Sequence, residues 1–222
     1  MKKVSFLGGY KVLDDKLYDR IYDAVEDLAS KETGLDFMFF YTILTDIIVD
    51  KEPFMETCYQ AVTSYCKTNP DKKTTRTLLV RKPEEVEEWQ NKYGFYHWFD
   101  SCICPVADKK TRYLTAIINQ ADYMICQLYT HILDKTDQQF YQMIPKEKRI
   151  MVTSEDVKGR IAELMLQLPE STQYIFDRIN AGEDYIHLAK KLQMEPDVIS
   201  NKHIDAILNI QKCLAGEKSY FD

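Results

Sequence analysis

The chain has 222 residues, of which 45% are hydrophobic and 29% are charged, so it is long enough for one domain and a short appendage. This composition is typical of a folded globular protein, and the aromatic content of 12% argues against disorder. The formal net charge of -6 argues against bulk electrostatic capture of nucleic acid, although it leaves room for a local basic face.

The apolar segments are too short for a secretory leader or a membrane span. Residues 4–7 follow Met-Lys-Lys and lack a small-residue cleavage site. The longest apolar run, residues 37–45, is bounded by Asp36 and Asp46 and falls short of the roughly 20 residues that a spanning helix needs. The protein is therefore predicted to be cytoplasmic and to have no membrane partner.

The cysteines predict neither a metal centre nor a disulfide. They lie mostly in apolar segments, without a Cys-x-x-Cys pair or a Cys/His cluster, at Cys58, Cys66, Cys102, Cys104, Cys126 and Cys213. Cys102 and Cys104 would share one side of an extended strand. Buried apolar thiols in a reducing compartment are the simpler interpretation.

Strand and helix patterns alternate along the first two thirds of the chain. Residues 3–7 form an apolar run that ends at Gly8-Gly9, which predicts a buried strand and a tight turn, and a capped amphipathic helix follows Asp14-Asp15. Further strands are predicted at 35–41, 75–81, 123–128 and 150–152, and further helices at 54–67, from Pro83 to near Gly94, and at 111–120. Residues 95–105 are predicted to form an aromatic loop.

This alternation predicts an α/β fold with a parallel sheet and helices on both faces, because parallel strands need crossover connections. From residue 157 onward the strand pattern stops. Four helices are predicted there, at 157–168, 171–180, 184–192 and 196–214. We therefore predict two domains, residues 1–155 and residues 156–222.

Four segments of the first domain resemble a known family. They are residues 4–10 (VSFLGGY), 75–80 (TRTLLV), 99–105 (FDSCICP) and 116–126 (AIINQADYMIC). Over residues 3–154 the chain resembles the SLOG superfamily of Rossmann-like proteins, particularly its bacterial members. The resemblance implies a cleft at the carboxyl ends of the strands near Gly8-Gly9-Tyr10 and a small phosphorylated, nucleotide-derived ligand. No cofactor is predicted.

Most of the family's glycine loops are replaced in this chain. The family's glycine pair after the second strand corresponds to Phe40-Tyr41, and the glycines after the Ala-Asp strand correspond to Tyr129-Thr130-His131. Bulky residues remove backbone freedom and fill the space that an anion needs. The chain is therefore interpreted as a degenerate member, and no catalytic residue is assigned.

The resemblance and the pattern together define a candidate ligand site. Asp46 matches an Asp that the family carries after the second strand, although it is equally suited to cap a helix. Arg112 begins a predicted helix and would either face an anion in the cleft or, as the simpler interpretation, pair with a nearby carboxylate. The predicted ligand-binding residues are Gly8, Gly9, Tyr10, Tyr41, Asp46, Arg112 and Tyr129.

The tail resembles a second family. Leu168-Pro169-Glu170, residues 188–192 (LAKKL) and the apolar positions of the next helix are similar to the helix-turn-helix of sigma-factor region four. The resemblance implies that Ala189 packs between the helices and that the next helix exposes its leading turns. The predicted nucleic-acid-binding residues are Lys190, Lys191, Ser200, Asn201, Lys202 and His203.

The charge of the tail keeps a second interpretation open. Residues 157–222 carry 8 Lys or Arg against 10 Asp or Glu, whereas DNA-binding modules are usually basic. A helical unit that only packs or dimerises is the alternative. A homodimer would suit a helix-turn-helix that reads two half-sites.

These observations predict an intracellular regulatory or ligand-sensing protein. Its degenerate nucleotide-type cleft would be coupled to a helix-turn-helix that contacts DNA or a protein partner. The alternatives are an enzyme of the hydrolase class that acts on a nucleotide-derived phosphate, and a non-catalytic scaffold.

Overall fold

The structure is a computed structural model that describes residues 1–8, 16–40, 53–92, 98–106, 113–129 and 135–214. Within these residues the chain forms two compact units. The first unit contains a β-sheet and its helices. The second unit begins at Thr153, close to the expected boundary after residue 155, and also includes Tyr129 and residues 135–138.

Six parallel strands within the described residues form the sheet of the first unit. They are β1 (Lys2–Gly8), β2 (Leu35–Phe40), β3 (Thr74–Leu79), β4 (Ser101–Ile103), β5 (Tyr123–Gln127) and β6 (Arg149–Met151). Their order is β4-β3-β2-β1-β5-β6, and every neighbouring pair is parallel. The predicted Rossmann-like α/β architecture is thus confirmed.

Helices follow the first five strands. They are α1 (Leu17–Lys31), α2 (Pro53–Thr68), α3 (Pro83–Lys92), α4 (Tyr113–Gln120) and α5 (Lys135–Met143). α1 forms as an amphipathic helix because Leu17, Ile21, Val25 and Leu28 recur at intervals of three or four residues, and all four are buried. Right-handed crossovers place α1, α2 and α3 on one face of the sheet and α4 on the other.

Aromatic rings fill the main core of the first unit. The rings of Phe6 and Phe39 stack with their centroids 4.9 Å apart, and neither side chain is exposed to solvent. The ring centroids of Tyr59, in α2, and Phe99 lie 5.6 and 5.9 Å from that of Phe39. Burial of each large apolar side chain contributes about 1.5–3 kcal/mol, so this cluster binds α2 firmly to the sheet.

The second unit contains four helices within the described residues: α6 (Glu155–Leu166), α7 (Glu170–Asn180), α8 (Tyr185–Leu192) and α9 (Pro196–Leu214). α9 contributes to two apolar clusters. Ile199 packs with Ile175 and Leu188, which belong to α7 and α8. Further along α9, Ile207 packs with Phe176 of α7 and with residues of α6. One long helix therefore joins the other three.

Two elements differ from the sequence prediction. β4 lies inside residues 95–105, which were expected to be a loop, and α5 forms where no helix was expected. A three-residue strand is too short to show alternation, and among the described strands it pairs with β3 alone, at the edge of the sheet. The sequence of α5 is mostly polar, so it lacks a strong apolar stripe.

Candidate functional site

The order of the strands reverses next to β1. The chain runs outward from β1 through β2, β3 and β4, and then places β5 on the other side of β1. In open α/β sheets, ligands bind outside the carboxyl ends of the strands at such a switch point. Here Gly8 and Gln127, the last residues of β1 and β5, are paired in register. The predicted site residue Gly8 therefore lies where sheets of this kind bind ligands.

An aromatic ring uses the space that Gly8 leaves. A Cβ added to Gly8 would lie 2.7 Å from Cε1 of Phe54 and closer still to two other ring carbons. Phe54 lies in the first turn of α2, is 3% exposed and belongs to the main core. In a phosphate-binding turn, glycine lets the backbone approach an anion. At Gly8 this space is filled by the ring instead.

Gln127 is a buried polar residue at the same end of the sheet. Its side chain is 1% exposed, and among the described residues no hydrogen-bond acceptor reaches its Nε2. Side chains alternate along a strand, so Gln127 shares its face of the sheet with Ile125, which lies in the main core. Sequence reasoning missed this residue. The available signal was one polar residue in the otherwise apolar segment 124–128.

Most of the other predicted ligand-binding residues cannot be placed on this site. Gly9, Tyr10, Tyr41, Asp46 and Arg112 lie outside the described residues.

Tyr129 belongs to the second unit, where it is 5% exposed and packs in a cluster with Val157 and Phe176. Its hydroxyl accepts a hydrogen bond of 3.3 Å from the backbone N–H of Ser154. Ser154 in turn caps α6, since its hydroxyl accepts a hydrogen bond of 3.3 Å from the N–H of Val157. Tyr129 thus serves the core of the second unit and the start of α6.

The two cysteines of the sheet, Cys102 and Cys126, are buried thiols. Burial raises the pKa of Cys126 to about 12 and that of Cys102 to about 11, so neither is a thiolate near neutral pH. In the described ranges no three His, Cys, Asp or Glu side chains converge as metal ligands. None of the helices described combines the length and apolar character that a bilayer span requires.

The second unit contains the predicted helix-turn-helix connection. Asp184 caps α8, because its carboxylate accepts a hydrogen bond of 2.7 Å from the N–H of His187. Gln193 ends α8 in the left-handed conformation with a φ of 54°. After residues 193–195, α9 begins at Pro196, a residue that favours the first turn of a helix. Ala189 is 1% exposed beside Ile199, which confirms its predicted packing role.

The predicted nucleic-acid-binding residues differ in exposure. Lys190, Lys191 and Asn201 are exposed, whereas Ser200 and Lys202 are half-buried. Lys191 forms a salt bridge of 3.1 Å with Glu183.

The sixth predicted residue, His203, is fully buried, so its expected position on an exposed turn is wrong. Its Nδ1 lies 2.9 Å from the hydroxyl of Tyr185, and its ring centroid lies 4.6 Å from that of Phe176. The physical reason is helical spacing. His203 follows Ile199 by four residues and precedes Ala206 by three, so all three lie on the buried face of α9.

Charge pairs stabilise the turn between α7 and α8. Oε1 of Glu183 accepts hydrogen bonds from Arg178 and, at 3.1 Å, from Lys191. The bond from Arg178, supported by Lys191, lowers the pKa of Glu183 to about 2. Lys191, one of the predicted nucleic-acid-binding residues, therefore has a structural role in this turn.

The solvent face of α9 is more apolar and acidic than basic. Val198, Ile204 and Leu208 are 41%, 40% and 43% exposed. Asp197 and Asp205 are also exposed on this helix. DNA phosphates attract cations and repel carboxylates, so this surface is poorly suited to a phosphate backbone.

Comparison with family models, with curated proteins and with solved structures finds no match to this chain. The resemblances of residues 3–154 and of the tail therefore stay predictions. The proposed function is therefore based on the geometry of the two units.

Proposed function

We propose that this protein is a non-catalytic, ligand-sensing regulator. Its first unit binds a small polar ligand at the β1–β5 switch point, and its helical unit contacts a macromolecular partner, DNA or protein. The observation that carries the proposal is the buried Gln127 side chain, whose Nε2 has no acceptor among the described residues.

Leaving a buried donor without a partner costs about 1–3 kcal/mol. Most buried polar atoms in native proteins are paired, so an exception needs a physical explanation. An amide N–H suits a carbonyl, carboxylate or phosphate oxygen of a ligand. Phe54 fills the space at Gly8. The ligand is therefore recognised by the amide of Gln127 rather than by a glycine turn at Gly8.

The chain itself supplies a route for coupling. Gln127 ends β5, and two residues later Tyr129 packs in the core of the second unit. The Tyr129 hydroxyl bonds the backbone of Ser154, the residue that caps α6. The ligand site and the helical unit are thus joined by a short covalent link along the chain. Coupling requires only that the ligand has different affinities for two conformations of the protein.

The proposal is tested by thermal unfolding with a panel of nucleosides, nucleotides, sugar phosphates and amino acids. At least one compound should raise the Tm of the wild type, because a ligand that binds only the folded state stabilises it. The substitution Gln127→Met keeps the approximate volume and removes the amide. It should abolish the ligand shift while raising the free energy of unfolding without ligand by about 1 kcal/mol.

A matched control comes from Thr77, another buried polar residue of the sheet, 3% exposed. Its hydroxyl bonds Asp36 at 2.7 Å and Ser101 at 2.8 Å, so Thr77→Val should destabilise by about 1 kcal/mol. A Gln127→Met variant that is destabilised to the same degree would show that the amide has a structural role. Turnover of any nucleotide by the purified wild type would contradict the non-catalytic assignment.

The capped α8, the three-residue turn and the buried Ala189 favour DNA as the partner of the helical unit, whereas the apolar and acidic face of α9 favours a protein. Electrophoretic mobility shifts with random-sequence duplex DNA at several salt concentrations test DNA binding. Salt-dependent binding that Lys190→Glu weakens would support DNA, because phosphate contacts release counterions.

A further inference from the structure

A groove in the second unit lies between α7, the turn after α8 and α9. Its volume is about 320 Å³, and it is lined by Ser171, Tyr174, Ile175, Leu192, Met194 and Lys202. Four of these six side chains are apolar or aromatic. This volume is at the lower end of the range of about 300–1,000 Å³ for ligand pockets, so the groove accommodates one or two side chains.

The apolar surface continues beyond the groove. Tyr174 and Met194 line it and are still 40% and 38% exposed. Val198, which is 41% exposed, precedes the groove residue Lys202 by four residues on α9 and so neighbours it on the helix surface. Tyrosine and methionine are enriched in protein interfaces. An apolar area that extends past a pocket suits a protein segment better than a small molecule.

The polar groups of the groove favour a negative charge. Lys202 is half-buried, and no salt bridge joins it to a carboxylate in the part of the chain that the structure describes. Ser171 lies in the first turn of α7, the positive end of that helix, which has no side-chain cap. Glu170 is exposed and does not line the groove. A carboxylate bound here would meet a cation at one side and a helix N-terminus at the other.

DNA does not fit these features. A duplex presents phosphates, which need several cations, whereas this groove combines one lysine with an apolar floor. The exposed Asp197 and Asp205 on α9 would repel a phosphate backbone.

We propose that this groove binds a protein partner through a segment in which an apolar side chain lies within one helical turn of an Asp or Glu. The apolar side chain packs against Tyr174 and Met194, and the carboxylate pairs with Lys202. The inference rests on the proposed role of the helical unit in contacting a partner, and it specifies which partner and which residues.

The probe is a library of short random peptides displayed on phage and selected on the full-length protein. Selected peptides should carry an Asp or Glu close to Leu, Met, Phe or Trp, and should shift the methyl NMR signal of Met194 in the wild type. Lys202→Glu and Met194→Ala should each weaken binding by about tenfold or more. A peptide whose carboxylate is replaced by Lys should regain affinity for Lys202→Glu.

Lys158→Glu on α6 and Ile186→Ala on α8 are the matched controls, since both residues are exposed and neither lines the groove. Both should bind the selected peptides like the wild type. Peptides that leave the Met194 signal unmoved, or that carry Lys or Arg instead of a carboxylate, overturn the proposal. Dimerisation in sedimentation experiments that Lys202→Glu abolishes would also overturn it, because the occupant would then be a second copy of the chain. DNA binding that depends on Lys202, without peptide binding, would overturn it as well.

This test separates the groove from the proposed sensor. Peptide binding that persists when no compound shifts the Tm of the wild type would refute ligand sensing and leave the groove standing. A ligand shift that depends on Gln127, without any peptide binding at Met194, would refute the groove and leave ligand sensing standing.

Discussion

Gly8 in the first unit and Gly182 in the second unit are both positions where the structure uses the absence of a side chain, but the physical reasons differ. At Gly8 the constraint is space, because the ring of Phe54 lies where a Cβ would be. At Gly182 no atom of the described residues lies within 4 Å of an added Cβ, and the constraint is a φ of 93°. Only the second use involves the conformational freedom of glycine.

The difference shows how each unit is specified. Gly182 ends α7 in a Schellman arrangement, with its N–H bonding the carbonyl of Ile179 at 2.9 Å and the N–H of Glu183 bonding that of Arg178 at 3.0 Å. These partners are neighbours in the chain. Phe54 reaches Gly8 only through the packing of α2 on the sheet. The helical unit thus depends on local turns, and the switch-point end of the sheet depends on long-range packing.

The largest effect is expected from Phe54→Ala. Removing this buried ring leaves a cavity beside Gly8 and should lower the free energy of unfolding by about 3–5 kcal/mol. Urea unfolding followed by tryptophan fluorescence measures it, because Trp89 and Trp98 both lie in the first unit. Met143→Ala, at a residue that is 45% exposed, should change stability by no more than about 0.5 kcal/mol. A similar loss in both variants would mean that the ring does not fill this space.

Gly8→Ala should follow, with a loss of about 1–3 kcal/mol, because the added methyl group overlaps the ring of Phe54. The same fluorescence experiment on the double variant sharpens the test. When Phe54→Ala is already present, the added methyl group has room, so the two losses should differ from additivity by about 0.5–3 kcal/mol. Strict additivity would show that Gly8 is required for another reason.

Gly182→Ala should destabilise the second unit by about 1–2 kcal/mol, because an L-residue is strained at this φ. The control is Gly159→Ala in α6, where an added Cβ meets open space in a helix. That variant should stabilise α6 by about 0.5–1 kcal/mol. Neither tryptophan lies in the second unit, so amide hydrogen exchange in α6 and α7 is the measurement. Equal effects of the two substitutions would refute the role of φ.

The smallest effect is expected from the charge cluster at Glu183. Its pKa in the folded protein is lowered from 4.5 to about 2, mainly by the hydrogen bond from Arg178. The stabilisation is therefore present above pH 4.5 and is lost as the pH falls from about 4.5 to about 2. Glu183→Gln should flatten this part of the pH profile of hydrogen exchange in α7 and α8. Glu163→Gln, at an exposed position on α6, should have the same pH profile of hydrogen exchange as the wild type.

The two halves of the candidate site differ in how far the sequence revealed them. Gly8 was found because a diglycine after an apolar run marks the end of a strand. Gln127 was missed because its one local signal, a polar residue in an otherwise apolar strand, does not tell whether that residue is buried. Its importance comes from its register with Gly8, which is set by the pairing of β1 with β5, two strands that are far apart in the sequence. Similarly, β4 was not predicted, because three residues are too few to show the alternation of a strand.

By itself the sequence determined the alternation of strands and helices, the end of α7 near Gly182, the start of α8 after Asp184 and the start of α9 at Pro196, since such signals act over a few residues. Tertiary structure alone decided that Phe54 covers Gly8, that the amide of Gln127 is buried at the switch point, and that His203 belongs to a core rather than to an exposed surface. The reason is that helix ends and strand runs are encoded by adjacent residues. Ring packing, strand register and burial depend on residues that the chain brings together only when it folds.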